Sequence, residues 1–153
     1  MKNDIEHIWS VMSQKSIVDM NTNNLSILDI LERINVVLNS SDKFNDKNPA
    51  TIPFLFEVIS YWRKSDAVGN KEINGESKIC IYSPTKHQLS DFSIKFQIPK
   101  DKKFYRTIIK FNAFKITEEG EYRVEILQKV NNGEHIVVAN LPVFVELKSI
   151  KQN

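Results

Sequence analysis

The clearest pattern in the chain is an alternation of apolar and polar residues. In residues 92–98, FSIKFQI, the even positions are apolar and the odd positions are polar. This period of two turns one set of side chains toward a core and the other toward water, which is typical of a half-buried β-strand. Residues 77–82 and 121–127 repeat the pattern, and residues 104–114 and 135–147 are rich in β-branched and aromatic types.

One run, residues 54–62, is apolar on both of its faces. Phe54, Phe56, Val58 and Trp62 fall on one side, while Leu55, Ile59 and Tyr61 fall on the other beside Glu57. We therefore expect a central strand, or one that is covered on both faces. In the last run, Pro142 has no N–H to donate, so it should interrupt the ladder or lie on its edge.

Turn-forming residues separate these runs. Asn131-Asn132-Gly133 is typical of a hairpin, Glu118-Glu119-Gly120 precedes the Tyr122 run, and residues 39–50 form a polar stretch long enough to be a mobile loop. Short strands at this spacing predict an all-β fold, namely a two-layer antiparallel β-sandwich of about seven to nine strands.

We expect this sandwich to be a single domain over residues 1–153. The chain shows no repeat and no interdomain linker, and its ends, residues 1–4 and 149–153, should be loosely ordered.

Residues 25–38 leave two alternatives open. Their apolar positions are close to helical spacing, and Ser26 could cap a short helix near 26–34. However, the segment is rich in β-branched residues, and residues 19–24 preceding it could form a hairpin turn. We favour a strand, with the helix as the alternative.

Composition and charge narrow the function classes. Hydrophobic residues make up 41% of the 153-residue chain, which suits one globular domain, and a net charge of +2 gives no strong field for nucleic acid or an anionic membrane. No stretch approaches the roughly 20 apolar residues of a membrane helix. Charged residues interrupt the apolar ones near the N-terminus, so we expect no signal-peptide core there. The single cysteine, Cys80, cannot form an intrachain disulfide. A cytoplasmic protein is expected.

No set of residues commits the chain to a chemistry. The three histidines are scattered, no Cys or His pair has metal-binding spacing, and the four glycines form no phosphate-binding loop. Cys80 lies in an alternating strand, as a structural cysteine would. We therefore assign no catalytic, cofactor-binding or metal-binding residue, and we favour a non-catalytic protein without excluding an enzyme.

The segment with the most functional character is 100–115, KDKKFYRTIIKFNAFK, which interleaves cations with aromatics. Stacking aromatics beside cations can hold single-stranded nucleic acid. Alternation along the strand separates most of the aromatics from the cations, however, so nucleic-acid binding is a weak alternative. Its candidate residues are Lys102, Lys103, Tyr105, Arg106 and Lys110.

Several short motifs resemble a family of uncharacterised bacterial proteins. The opening motifs are His7-Ile8-Trp9-Ser10-Val11, Ile17-Val18-Asp19 and Asn23-Asn24-Leu25-Ser26-Ile27, and later ones are Phe54-Leu55-Phe56, Glu76 with Pro84, Gly120-Glu121-Tyr122 and Leu141-Pro142-Val143. The resemblance implies an immunoglobulin-like β-sandwich, with residues 25–30 as a strand that pairs with the first strand. It implies no activity, cofactor or site residue.

We therefore expect a non-catalytic binding or assembly module that acts through protein partners or self-association, including a homodimer. One alternative is a small enzyme or carbohydrate-type binder, with its site on a sheet face or in loops 39–50 and 66–76. A deep pocket with converging carboxylates or histidines would favour it, and filled, convex faces would count against it. The identity of any small-molecule ligand is left open.

Overall fold

A computed structural model describes residues 4–39 and 41–150. Nine strands account for most of this part of the chain: β1 Ile5–Val18, β2 Leu25–Ile30, β3 Arg33–Asn39, β4 Ala50–Lys64, β5 Ile73–Tyr82, β6 Gln88–Ile98, β7 Phe104–Ile116, β8 Gly120–Val130 and β9 Ile136–Ile150. A single 3-10 turn, Asp66–Val68, is the only helical element among the described residues.

The strands form two sheets. We call them sheet A, with the order β2-β1-β4-β7, and sheet B, with the order β3-β9-β8-β5-β6. Every neighbouring pair is antiparallel except β3 and β9, which are parallel. The predicted two-layer β-sandwich of seven to nine strands is confirmed, with one parallel pair that the sequence did not indicate.

The helix considered near 26–34 does not form. Residues 25–30 pair with β1 through the 19–24 turn, and residues 33–39 pair with β9 in the other sheet. Buried Leu31 lies where the chain passes between the sheets. The segment therefore consists of two short strands in different sheets. β2 has no buried residue, whereas β3 buries Ile34 and Val36 at a period of two.

The core lies between the two sheets and consists of the inward-facing alternate residues. Tyr122, Val124 and Ile126 of β8 face Phe56 and Trp62 of β4 in one continuous apolar cluster. The largest fully buried side chains are Trp62, Tyr122, Phe56 and Phe114. Trp62 satisfies its indole N–H by donating to Oγ1 of Thr107 at 3.0 Å. The core is therefore aromatic, and the indole N–H of Trp62 has a hydrogen-bond partner inside it.

The interpretation of residues 54–62 as a central strand is confirmed, because β4 pairs with both β1 and β7. Pro142 does not interrupt β9: its register with Arg123 is continuous. Because β3 pairs with β9 only from Phe144 onward, Pro142 lies where β9 has one neighbouring strand. It thus occupies a local edge, one of the two predicted outcomes.

Both ends of the chain were expected to be loosely ordered. Residues 1–3 and 151–153 lie outside the described residues, as does Ser40. Asp4 accepts a hydrogen bond from the backbone of Ser65 at 2.9 Å, and β9 extends through residues 149–150.

Candidate functional site

The candidate residues from segment 100–115 do not converge on one surface. Lys102 and Lys103 lie in the loop before β7, and Tyr105 points into the sandwich, where its ring stacks on Phe96 at 5.3 Å. Arg106 and Lys110 lie on the outer face of sheet A. A base could not stack on Tyr105 there, so the structure does not assemble the predicted set.

The outer face of sheet A has aromatic residues that come from three different strands. Trp9 of β1 stacks on Tyr61 of β4 at 5.5 Å, and Tyr61 stacks on Phe104 of β7 at the same distance. Arg106 lies beside Tyr61 in the strand register. Each pair of rings is stacked, and the row stabilises the sheet as cross-strand aromatic pairs do.

Hairpin β1–β2 folds back over this same outer face. Arg106 Nη2 donates to the backbone oxygen of Asn23, in the hairpin turn, at 3.0 Å, and Ser16 donates to the carboxylate of Glu57 on β4. Beneath the hairpin, Glu57 is only 7% exposed and Ile59 is fully buried, although both belong to the outward-facing side of β4. The hairpin therefore provides a partial third layer over sheet A.

Several large apolar side chains of this hairpin are exposed. Met20 at its tip is 97% exposed, and the other exposed large apolar side chains between residues 17 and 30 are Ile17, Val18, Leu28 and Ile30. β2 is also an edge strand, since β1 is its only neighbour in sheet A. The hairpin thus combines unpaired backbone groups with exposed apolar side chains. Such an edge can pair with a strand of another chain.

A cleft lies elsewhere, at one end of sheet B where β5, β6 and β8 meet the β8–β9 turn. Its volume is about 790 Å³, within the range of small-molecule sites. We call it the β5–β8 cleft. Its lining residues are Asn74, Gly75, Glu76, Lys95, Phe96, Gln97, Lys129, Asn131 and Asn132.

One acid–base pair lies at the rim of this cleft. His135 Nε2 and Glu76 Oε1 are 3.1 Å apart, with both side chains partly buried. Glu76 is opposite Lys95 of β6 and Lys129 of β8 in the strand register. Within residues 4–39 and 41–150, the two ammonium groups make no hydrogen bond and no ion pair. The cleft therefore holds one partnered carboxylate and two uncommitted cations.

Loop 39–50 is attached to the β5–β6 turn by a side-chain contact. Thr85 Oγ1 donates to Asp46 Oδ2 at 2.5 Å, and Ser83 and Thr85 are themselves hydrogen-bonded at 2.8 Å. The hydrogen bond from Thr85 lowers the pKa of Asp46. The described residues contain no cluster of His, Cys, Asp or Glu that could hold a metal ion.

Cys80 takes no part in a reactive pair. It is buried on the outer side of β5, among residues of sheet B, and burial raises the pKa of its thiol. A raised pKa reduces the thiolate fraction on which nucleophilic attack depends. The geometry thus agrees with the structural role that the sequence indicated.

The sequence did not indicate the Glu76–His135 pair or the aromatic row, because each forms across strands that are distant in sequence. In the sequence, His135 is one of three scattered histidines, and nothing near Glu76 indicates a partner 59 residues away.

No described helix is long and apolar enough to cross a bilayer. Comparison with family models gives no match, and no curated protein matches the chain.

Proposed function

We propose that this protein is a non-catalytic binding or assembly module with an immunoglobulin-like sandwich, and that it acts through hairpin β1–β2. The observation that carries the proposal is the concentration of exposed apolar side chains on this hairpin, next to the open backbone of β2. Monomeric proteins rarely leave such a combination uncovered. We place this role in the cytoplasm, since folding with Cys80 as the sole cysteine requires no oxidising compartment.

Two features support the immunoglobulin-like assignment. The order β1-β4-β7 matches the A-B-E neighbours of that fold, and the order β9-β8-β5-β6 matches G-F-C with an added strand. Tyr122, near the start of the strand equivalent to F, bonds through its hydroxyl to the backbone of Thr117 and Glu118, as in a tyrosine corner. Strand β2, which pairs with the second half of β1 to form the hairpin, is an addition to this plan.

The partner that we propose is a second copy of the chain. Two β2 strands related by a two-fold axis can pair antiparallel and join two copies of sheet A into one continuous sheet. Asp29 has a φ of 53°, which is outside the extended region. Pairing should therefore use residues 25–28. The exposed side chain of Ile30 would lie beside the end of the paired segment.

The test uses two matched substitutions on edge strands. Ile30 of β2 is 59% exposed and Val37 of β3 is 60% exposed, so Ile30→Lys and Val37→Lys add the same charge at equally accessible apolar sites. Sedimentation equilibrium of the wild-type chain should give a dimer at micromolar concentrations. Ile30→Lys should shift it to monomer, whereas Val37→Lys should leave it dimeric.

Three results would overturn the proposal. The first is a wild-type chain that stays monomeric up to about 1 mM, where even a weak complex would be populated. The second is a dimer that Ile30→Lys leaves intact, and the third is a dimer that both substitutions disrupt equally. Circular dichroism and thermal unfolding of each variant would show that the change acts on association and not on folding.

A further inference from the structure

We propose that the β5–β8 cleft is a binding site for a small organic oxyanion carrying at least two negative charges, such as a phosphate monoester or a dicarboxylate. This site is separate from hairpin β1–β2 and is independent of self-association. The proposal rests on two ammonium groups, those of Lys95 and Lys129, that make no hydrogen bond or ion pair among the described residues. Both line a cleft of about 790 Å³.

The strand register fixes the spacing of the two lysines. Both are aligned with Glu76, one on each side, because β5 lies between β6 and β8. Neighbouring strands lie about 4.8 Å apart, so the two lysine Cα atoms are separated by roughly 10 Å. Flexible four-carbon stems allow both ammonium groups to reach one ligand between them, and Lys129 is already partly buried.

Glu76, the carboxylate between these two lysines, does not neutralise them. Glu76 Oε1 is in contact with His135, and no ion pair within 4.0 Å joins Glu76 to Lys95 or Lys129 among residues 4–39 and 41–150. The two ammonium groups therefore exceed the one carboxylate, and the cleft carries a net positive charge. A ligand with two negative charges would place one charge against each ammonium group.

The polar rim adds further hydrogen-bond donors. Gln97 Nε2 donates to Asn74 Oδ1 at 3.1 Å, which leaves the Asn74 amide nitrogen available to a ligand. Asn131 and Asn132, in the β8–β9 turn, add two exposed amides to the lining. Ligand oxygens would accept from these groups, so the rim favours an acceptor-rich ligand such as an oxyanion.

The floor of the cleft argues against a neutral sugar or a nucleobase. Its one aromatic residue, Phe96, is only 7% exposed and packs into the core against Trp62 and Tyr105. Sugars and bases are commonly held by stacking on an accessible ring, which this cleft does not provide. Recognition must therefore come from charge and hydrogen bonds.

Titration of the full-length ¹⁵N-labelled protein with pyrophosphate and with citrate, followed by NMR, tests the proposal. Saturable shifts should appear at residues 74–76, 95–97 and 129–132, and they should weaken as salt is raised. Lys95→Gln and Lys129→Gln should each weaken binding about five- to tenfold, as expected for a charged hydrogen bond at a partly exposed site. Glu76→Gln should strengthen it, because a repulsive charge is removed.

Two controls separate this site from general attraction of anions to a basic protein. Lys148→Gln makes the same change in net charge on β9, at an exposed position outside the cleft lining, and should leave binding unchanged. Glucose should produce no shifts at these residues. The proposal is wrong if neither anion saturates by about 10 mM, if Lys148→Gln weakens binding as much as Lys95→Gln, or if Glu76→Gln abolishes binding.

Discussion

The phenol oxygen of Tyr122 lies 2.8 Å from the backbone nitrogen of Thr117. The same oxygen accepts from the N–H of Glu118 at 3.2 Å and donates to the Glu118 carbonyl at 2.8 Å. One fully buried hydroxyl thus bonds the N–H groups of Thr117 and Glu118 and the carbonyl of Glu118, in the turn that joins β7 to β8. Because buried backbone groups are costly to leave unpaired, this contact fixes the path of the chain from sheet A to sheet B.

Tyr122→Phe should therefore destabilise the fold without changing its shape. The substitution keeps the ring in the core but leaves the backbone groups of Thr117 and Glu118 without that partner, which should lower the free energy of unfolding by about 1–3 kcal/mol. Urea denaturation measures the loss. Tyr82→Phe is the control, because the hydrogen bond from the Tyr82 hydroxyl to Gln88 is marginal, at 3.5 Å. Equal losses in the two variants would contradict the assigned role.

Gly75 should be intolerant of any side chain. A methyl group added there would lie 2.6 Å from Cζ of Phe96 and 2.9 Å from Cδ1 of Ile5, closer than nonbonded carbon atoms approach. Gly75→Ala should lower the unfolding free energy by about 1–3 kcal/mol, as overpacked cores do.

A double-mutant cycle identifies the cause of that loss. Phe96→Leu removes the atoms nearest to the added methyl group, so the combined Gly75→Ala/Phe96→Leu variant should be more stable than the sum of the single effects predicts. Additive losses would show that Gly75 is required for another reason, such as its backbone conformation.

Much of the fold could be predicted because the sequence of each strand indicates which of its side chains are buried. Alternation in residues 92–98 and 121–127 depends on which side chains leave water, and this is a local property. Residues 25–38 were ambiguous for the same reason. β2 and β3 belong to different sheets, with Leu31 at the crossover between them. Together they produce an apolar spacing that cannot be distinguished from that of a helix when the segment is considered alone.

The candidate sites could not be predicted to the same extent, because they depend on register between strands. Trp9 and Tyr61 become neighbours only through the pairing of β1 with β4, and Glu76 meets Lys129 only through the pairing of β5 with β8. Alternation along segment 100–115 places most of its aromatics and cations on opposite faces of the strand. Tyr61, which is aligned with Arg106, belongs to β4 and becomes its neighbour only through strand pairing.

His7 should make stability depend on pH. Its ring packs edge-on against Trp62 at 5.3 Å, its Nε2 lies 2.7 Å from Oγ of Ser10, and burial lowers its pKa below the ordinary value of 6.5. The unfolded chain therefore binds a proton more readily than the folded one. The stabilisation is fully present above pH 6.5 and is lost as pH falls through the lowered pKa of the folded state.

His7→Gln should remove this dependence. Urea unfolding at about pH 7.5 and about pH 5.5 should show a larger loss of stability for the wild type than for the variant. His87→Gln, at an exposed position in the β5–β6 turn, serves as the control. If His7→Gln keeps the full pH dependence of the wild type, another titrating group is responsible.

Arg106 should hold hairpin β1–β2 against sheet A. Its hydrogen bond to the backbone oxygen of Asn23 is a direct link between the hairpin turn and β7, and Leu25 lines the same small cleft as Trp9. Arg106→Met removes the link while retaining an apolar stem. Amide hydrogen exchange in residues 14–30 should accelerate, while exchange in the central strand β8 should change little, since a hairpin can open locally without global unfolding.

Arg63→Met is the matched control, because Arg63 lies on the same face but pairs with Glu6 and not with the hairpin turn. Equal acceleration in both variants, or acceleration throughout β8, would show that the hairpin is held by the sheet as a whole and not by this contact.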